Sequence, residues 1–134
     1  MDNPGLQLLG DFPITVPDAY VGNWITDLDG MFEADLFFNF KYGSGGTKVQ
    51  AYFQTSLDGG QTPIDLYCVE ATTASKARAR RLKPDGVENT PTDGALSDDS
   101  VATGIVLGDC LRVKYVVTGT YAGSTLLSVR AVVR

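Results

Sequence analysis

Closely spaced carboxylates are the residues of this chain with the most evident capacity for chemistry. Three pairs stand out: Asp27 and Asp29, Glu33 and Asp35, Asp98 and Asp99. Two carboxyl groups placed across a cleft can hydrolyse a glycosidic bond. On a β-strand, Glu33 and Asp35 would share one face, ~7 Å apart, but that face is the polar side of an amphipathic segment. We therefore interpret these pairs as solvated acids.

A second acidic group could supply oxygen ligands to Ca²⁺. Its members are Asp93, Asp98, Asp99 and Asp109. They lack the D-x-[DN]-x-[DN]-G spacing of a calcium loop, so the sequence predicts no metal site and no cofactor. The chain also contains no histidine, which excludes Ser-His-Asp and Cys-His nucleophiles and His-ligated zinc. We expect a protein that is not an enzyme.

The segment SLDGGQT, residues 56–62, resembles the Asp-box, S-x-D-x-G-x-T-W, which forms a β-hairpin turn. The Asp can accept hydrogen bonds from backbone N–H groups of the turn, and the second Gly can take a positive φ. Pro63 stands where the motif has its tryptophan. In sialidase-type propellers the motif recurs once per blade, whereas here it occurs once in 134 residues. The prediction is a hairpin clip made by Ser56, Asp58, Gly60 and Thr62.

Charge is distributed unevenly along the chain. Sixteen acidic and eleven basic residues give a formal net charge of −5, which disfavours nucleic acid and anionic membranes as partners. Five of the basic residues lie close together: Lys76, Arg78, Arg80, Arg81 and Lys83. Because alanine and charge alternate there, we predict an edge strand rather than a helix, with the charges blocking unwanted pairing. This strand is the candidate contact for an acidic partner.

Aromatic side chains provide a second candidate surface. Trp24 and five tyrosines could stack against sugars, although such rings more often pack in the core or at an interface of a β-sandwich. The tyrosines are Tyr42, Tyr52, Tyr67, Tyr115 and Tyr121. A carbohydrate-binding module is therefore an alternative function.

The elements that must position these residues are β-strands, because apolar residues recur at every second position. The clearest run is Phe32, Ala34, Leu36, Phe38 and Phe40. Similar alternation marks residues 48–54, 64–68, 111–117 and 127–134, and glycine-rich segments separate the strands. The prediction is an all-β antiparallel β-sandwich of about eight strands, for which a jelly roll is one arrangement.

Two segments depart from this pattern. Residues 1–19 contain Pro4, Pro13 and Pro17, which disfavour a central strand and indicate an extended N-terminal arm or an edge segment. Residues 20–134 then form a single sandwich domain. Residues 84–100 carry two prolines, two glycines and five acids, so we predict a long loop.

The cysteines and the N-terminus bear on location. Cys68 and Cys110 lie in apolar surroundings without C-x-x-C spacing, so we expect two buried free thiols, with a disulfide between them as the alternative. The first residues lack the features of a secretory leader, and no apolar run approaches 18 residues. We expect synthesis in a reducing cytoplasm.

Five short segments follow one another across roughly residues 30–134: FQTSLDGG (53–60), ATTA (71–74), TDGALSD (92–98), GDCLRV (108–113) and TGTYAGST (118–125). With these segments, this part of the chain resembles a recurrent type of tailed-bacteriophage virion protein. The resemblance implies a β-rich particle component without catalytic residues, a decoration or cement protein on the outer surface of the capsid. A tail, neck or fibre-base component is the alternative position.

The same interpretation specifies partners and location. The resemblance implies that the partner is the major capsid protein or another virion protein, and that the protein lies on the outer surface of the virion after synthesis in the host cytoplasm. Multivalent attachment suits a homo-oligomer, with a trimer favoured. Two contacts are predicted: the proline-interrupted segment from Asp2 to Pro17 lies on the shell or on a sister subunit, and the basic strand from Lys76 to Lys83 meets acidic capsid surface.

Overall fold

The computed structural model describes residues 4–134 and contains β-strands and no helix within that range. The strands are β1 (Gly5–Pro13), β2 (Asp18–Val21), β3 (Ala34–Lys41), β4 (Ser44–Gly45), β5 (Lys48–Ser56), β6 (Ile64–Ala71), β7 (Lys76–Leu82), β8 (Ser100–Val101), β9 (Cys110–Thr118), β10 (Tyr121–Ala122) and β11 (Leu126–Val133). The predicted all-β class is confirmed. Eight strands have four or more residues, and β4, β8 and β10 have two each.

The strands form two antiparallel sheets in the order of a jelly roll. The four-stranded sheet has the order β1-β11-β3-β7, and the five-stranded sheet has the order β2-β9-β5-β6-β8. Successive long strands alternate between the sheets, except for the β5–β6 hairpin. Such alternation makes two interlocked Greek keys and closes a two-layer sandwich. The jelly-roll arrangement is therefore realised, with β4 and β10 pairing separately.

The core lies between the inner faces of the two sheets, as period-two alternation requires. In β3, Leu36, Phe38 and Phe40 are fully buried. Phe32 departs from the prediction, because the strand begins only at Ala34 and the Phe32 ring is 64% exposed. Its backbone N–H instead donates to the carbonyl of Arg134, beyond the end of β11.

The N-terminal segment is an edge strand of the sandwich. From Gly5 to Pro13 it pairs with β11, with a bulge between Leu8 and Gly10. Leu9 and Ile14 are buried in the core, so this part of the chain belongs to the domain and is not a detached arm. The division at residue 19 also falls inside β2. The part of the predicted arm before Pro4 lies outside the described residues.

Three connections meet at one end of the sandwich because successive strands reverse direction. They are residues 22–33, 57–63 and 83–109. We call residues 83–109, which include β8, the strap. The strap lies on the outer face of the five-stranded sheet, which explains why β6 is buried on both faces from Ile64 to Val69 instead of alternating. The loop predicted at 84–100 thus covers a sheet.

The two cysteines are free and buried, as predicted. Burial raises the pKa of Cys68 and of Cys110 to about 12, which keeps both thiols protonated and unreactive at neutral pH. Within residues 4–134, no helix is long and apolar enough to span a lipid bilayer.

Candidate interaction surface

The basic cluster forms β7, the outer strand of the four-stranded sheet beside β3. The predicted edge strand is confirmed. Arg78 and Arg80 stand opposite Phe38 and Leu36, whose side chains lie in the core. The two arginines therefore lie on the side of the sheet that faces the core. Because β7 is the outermost strand, both side chains are nevertheless exposed to solvent.

Three of the five predicted contact residues are engaged by carboxylates. The Lys76 ammonium lies 3.0 Å from Asp99 of the strap and donates to the carbonyl of Glu70. Arg81 and Lys83 lie 3.2 Å and 3.5 Å from the carboxylate of Glu33. Their charges are therefore neutralised within the domain.

Arg78 and Arg80 have no such partner. Neither has a carboxylate oxygen within 4.0 Å anywhere in residues 4–134, and Lys41 is the one other cation of which this is true. Arg78 donates to the carbonyl of Ala77. The Arg80 guanidinium stacks 5.6 Å above the ring of Tyr67, which orients it at the edge. Of the five basic residues predicted to contact a partner, Arg78 and Arg80 are thus the two whose charge is not paired with a carboxylate of residues 4–134.

A shallow polar groove of about 460 Å³ adjoins Arg78. Its lining includes Glu70, Thr72, Ser75, Lys76 and Asp99. These groups offer hydrogen-bond donors and acceptors, and both positive and negative charge, beside the Arg78 guanidinium. The β7 edge can therefore orient a partner by hydrogen bonds as well as attract it by charge.

The predicted solvated acid pair is wrong for Glu33. Its side chain is buried because it receives Arg81, Lys83 and Arg134, the last at 3.0 Å. Asp35 is bound by Arg81 and Arg134 at 2.6 Å and 3.0 Å. Those hydrogen bonds lower the pKa of Asp35 to about 2. Both carboxylates are committed to ion pairs, so they do not form an acid–base pair.

The acids considered for Ca²⁺ hold the strap to the five-stranded sheet. Asp93 lies 3.3 Å from Lys114, and Asp98 lies 3.7 Å from Lys48. Asp109 is separate from them, in a cleft beside Cys110. In the part of the chain that the structure describes, no group of three or more carboxylates or thiolates is arranged to hold a metal ion.

Asp65 is the main anchor of the strap, and the sequence reasoning missed it. Its buried carboxylate accepts hydrogen bonds from the backbone N–H groups of Gly94 and Ala95 and from the side chains of Thr92 and Gln54, at 2.8–2.9 Å. Its own N–H donates to the carbonyl of Thr92. The sequence did contain a signal, because Asp65 lies inside an apolar strand. A carboxylate buried in such a strand needs hydrogen-bond donors or cations as partners.

The Asp-box hairpin forms as predicted between β5 and β6. Thr62 donates to Asp58 through its N–H at 2.7 Å and its hydroxyl at 2.6 Å, and Gly60 N–H donates to the Ser56 hydroxyl at 3.0 Å. A Cβ on Gly60, whose φ is +96°, would lie 2.6 Å from Nε1 of Trp24. Trp24 thus supplies, from a different connection, the ring that the motif lacks at position 63.

Acid should weaken the domain through these carboxylates. Hydrogen bonds from Thr62 and Ser56 lower the pKa of Asp58 to about 2, as those from arginine do for Asp35. A lowered folded-state pKa gives stability that is complete above the unfolded-state value of about 4 and is lost as pH falls towards 2. Urea midpoints should be flat from pH 7 to 5 and fall below pH 4. In Asp58→Asn that fall should be smaller, and an unchanged profile would contradict the clip.

The proposed sugar platform finds little exposed aromatic surface. Tyr52, Tyr67, Tyr115 and Tyr121 are buried. Trp24 is covered by the Arg112 guanidinium, 4.3 Å from its ring, and the Tyr42 hydroxyl donates to the carbonyl of Gly45. These rings pack in the core and at turns.

Comparison with known proteins adds no family to this description. The chain matches no protein-family model, and a search of curated proteins finds no match. The function is therefore inferred from the site.

Proposed function

We propose that this protein is a non-enzymatic structural subunit of a tailed-bacteriophage particle, a decoration or cement protein on the outer surface of the head. It binds the major capsid protein or a neighbouring virion protein through β7. Copies associate on the shell, with a trimer at threefold lattice positions as the favoured arrangement. No nucleic acid or membrane takes part in the binding.

One observation carries this proposal: Arg78 and Arg80 are exposed and lack carboxylate partners within residues 4–134, in a chain that is acidic overall. Eight of the eleven basic residues have a carboxylate within 4.0 Å. Of the three basic residues that have none in the described part of the chain, Arg78 and Arg80 lie together on the edge strand β7. Unpaired charge at a rim steers an oppositely charged partner and adds salt-dependent affinity. Many copies on a repeating shell would multiply a contact that is weak in one copy.

The fold is compatible with this role. Jelly rolls are recurrent in viral shell proteins and also in lectins. Between these classes, the burial of the tyrosines favours attachment to protein over sugar stacking. A carbohydrate-binding module remains an outcome of the tests below, as does a tail, neck or fibre-base position.

Charge reversal at Arg78 tests the proposal. Arg78→Glu should weaken co-sedimentation with purified tailed-phage heads about tenfold, equivalent to ~1.4 kcal/mol. It should also flatten the dependence of binding on salt, because an attractive charge becomes repulsive. Arg78 is exposed, so the variant should keep the unfolding midpoint of the wild-type chain.

Lys41→Glu is the matched control, since Lys41 is an exposed cation that has no carboxylate partner among residues 4–134 and lies on β3 and not on β7. It should bind as the wild-type chain does. An equal loss of binding in both variants would show that the change in net charge, and not the position of Arg78 on β7, causes the effect. Binding to tails alone would relocate the protein in the particle, and binding to a glycan array alone would replace the proposal with the carbohydrate-binding alternative.

A further inference from the structure

The outer face of the four-stranded sheet carries an apolar patch. By register, Leu6 lies beside Val132, and Leu8, Arg130, Phe37 and Ala79 cross the sheet in one row. Leu6 is 62% exposed, Leu8 60% and Phe37 39%. Exposed apolar side chains grouped on one sheet face are typical of an interaction site.

The two outer faces of the sandwich differ. The strap covers the five-stranded sheet, where the outward side chains of Tyr52 and Gln54 are buried. Residues 4–134 place no comparable segment over the four-stranded sheet, whose outward residues are exposed or half-buried on all four strands. Within residues 4–134 the four-stranded sheet therefore presents one open face.

Charges beside the patch are paired within the same sheet. Arg130 lies 2.9 Å from Asp11, and Arg81 lies 2.6 Å from Asp35. The unpaired Lys41 stands at the far end of the face, opposite Leu126. The patch is thus close to neutral on a chain of net charge −5.

We propose that this face binds a second copy of the same chain, face to face. Two chains of charge −5 repel each other wherever acids are in excess, so self-association is least opposed where the charges are already paired. A charged partner would gain no net electrostatic attraction at this patch. An isologous contact places the exposed Leu6, Leu8 and Phe37 side chains of the two copies against one another around a twofold axis, and two sheets can pack face to face in an aligned arrangement.

The size of the face predicts weak pairing. Four strands ~4.8 Å apart and about seven residues long give roughly 20 Å by 25 Å, or about 500 Å² in projection. Stable complexes bury about 800 Å² on each partner. We therefore expect dimers only at high protein concentration, in the range of about 0.1–1 mM. The pairing is independent of the β7 contact and of the proposed role on the head.

Sedimentation equilibrium tests the proposal over about 10 μM to 1 mM protein. The weight-average mass of the wild-type chain should rise from 14.3 kDa towards twice that value. Leu8→Glu should remain monomeric throughout. Added salt should leave the pairing unchanged or strengthen it, because salt screens the repulsion between the two chains.

Leu57→Glu is the matched control, because Leu57 is 64% exposed but lies in the Asp-box hairpin, away from this face. It should pair as the wild-type chain does. A wild-type chain that stays monomeric, or Leu8→Glu that pairs normally, would overturn the proposal. A wild-type trimer formed in solution without phage heads, or equal effects of Leu8→Glu and Leu57→Glu, would also overturn it. Capture on phage heads that depends on Leu8 without self-association would assign the face to the shell instead.

Discussion

Replacing Asp65 with alanine is expected to lower the free energy of unfolding by about 3 kcal/mol and to free the middle of the strap from the five-stranded sheet. The substitution removes a buried acceptor of four hydrogen-bonding groups and leaves the Gly94 and Ala95 N–H groups without it. Unpaired buried donors cost about 1–3 kcal/mol each before relaxation, and hydrogen bonds to charged groups are the stronger ones. Urea unfolding measures the loss.

A second readout distinguishes strap release from general destabilisation. Cys68 lies beneath the strap near Asp98 and Asp99, so its thiol should react with a disulfide reagent faster in Asp65→Ala than in the wild-type chain under native conditions. Asp11→Ala is the control, because its partly exposed ion pair with Arg130 lies on the four-stranded sheet, away from the strap, and surface ion pairs of this kind contribute little to stability. Unchanged Cys68 reactivity in Asp65→Ala would contradict the anchoring role of Asp65.

Substituting Gly108 with alanine should be the most damaging single-methyl change in the strap, at about 3 kcal/mol. A Cβ at this position would lie 1.7 Å from the backbone oxygen of Ser56. The contact is with backbone, which cannot rotate away as a side chain can. Gly108 N–H also donates to the Thr55 hydroxyl at 2.9 Å, and that bond fixes the end of the strap on β5. Thermal and urea unfolding would report the loss.

Gly86→Ala provides the comparison within the same segment. A Cβ there meets nothing within 4 Å, and the cost comes only from its φ of +71°, worth about 1 kcal/mol. Gly108→Ala should therefore be the more destabilising of the two by a clear margin. Equal losses would show that the strap does not approach β5 as closely as described.

The sequence was most informative where a strand has one face exposed to solvent and the other packed in the core. Alternation in residues 34–40 and 127–133 reports directly which side chains enter the core, so β3 and β11 were predictable. The alternation of alanine and charge likewise indicated that β7 is an edge strand. For β6 the same rule failed at Asp65 and Tyr67, because the strap and a bulge opposite Phe53 bury both sides of the strand.

The pairing of charges could not be predicted from sequence. Glu33 meets Arg134, about a hundred positions away, only because β3 and β11 are neighbours in the sheet. Asp99 meets Lys76 because the strap returns across β6. The basic cluster therefore resembles five equivalent cations in the sequence, whereas among the described residues the fold leaves two of the five, Arg78 and Arg80, without a carboxylate partner. Trp24 is a similar case, since its contact with Gly60 joins two connections at one end of the sandwich.

The two outer faces of the sandwich and its β7 edge differ in what they offer to a partner. The strap covers the five-stranded sheet and is held by Asp65 and Gly108. Within the part of the chain that the structure describes, the four-stranded sheet has an open face with exposed apolar side chains, and β7 has two arginines without carboxylate partners. This arrangement suits a protein that attaches to other molecules at its surface.

A reconstruction of phage heads incubated with the purified chain, at side-chain resolution, tests the central claim most directly. We expect density for the sandwich on the outer surface of the head, in a copy number set by the lattice. The guanidinium groups of Arg78 and Arg80 should lie within ~4 Å of capsid carboxylates. A bound chain with β7 facing solvent, or heads that carry no added density at saturating protein, would contradict it.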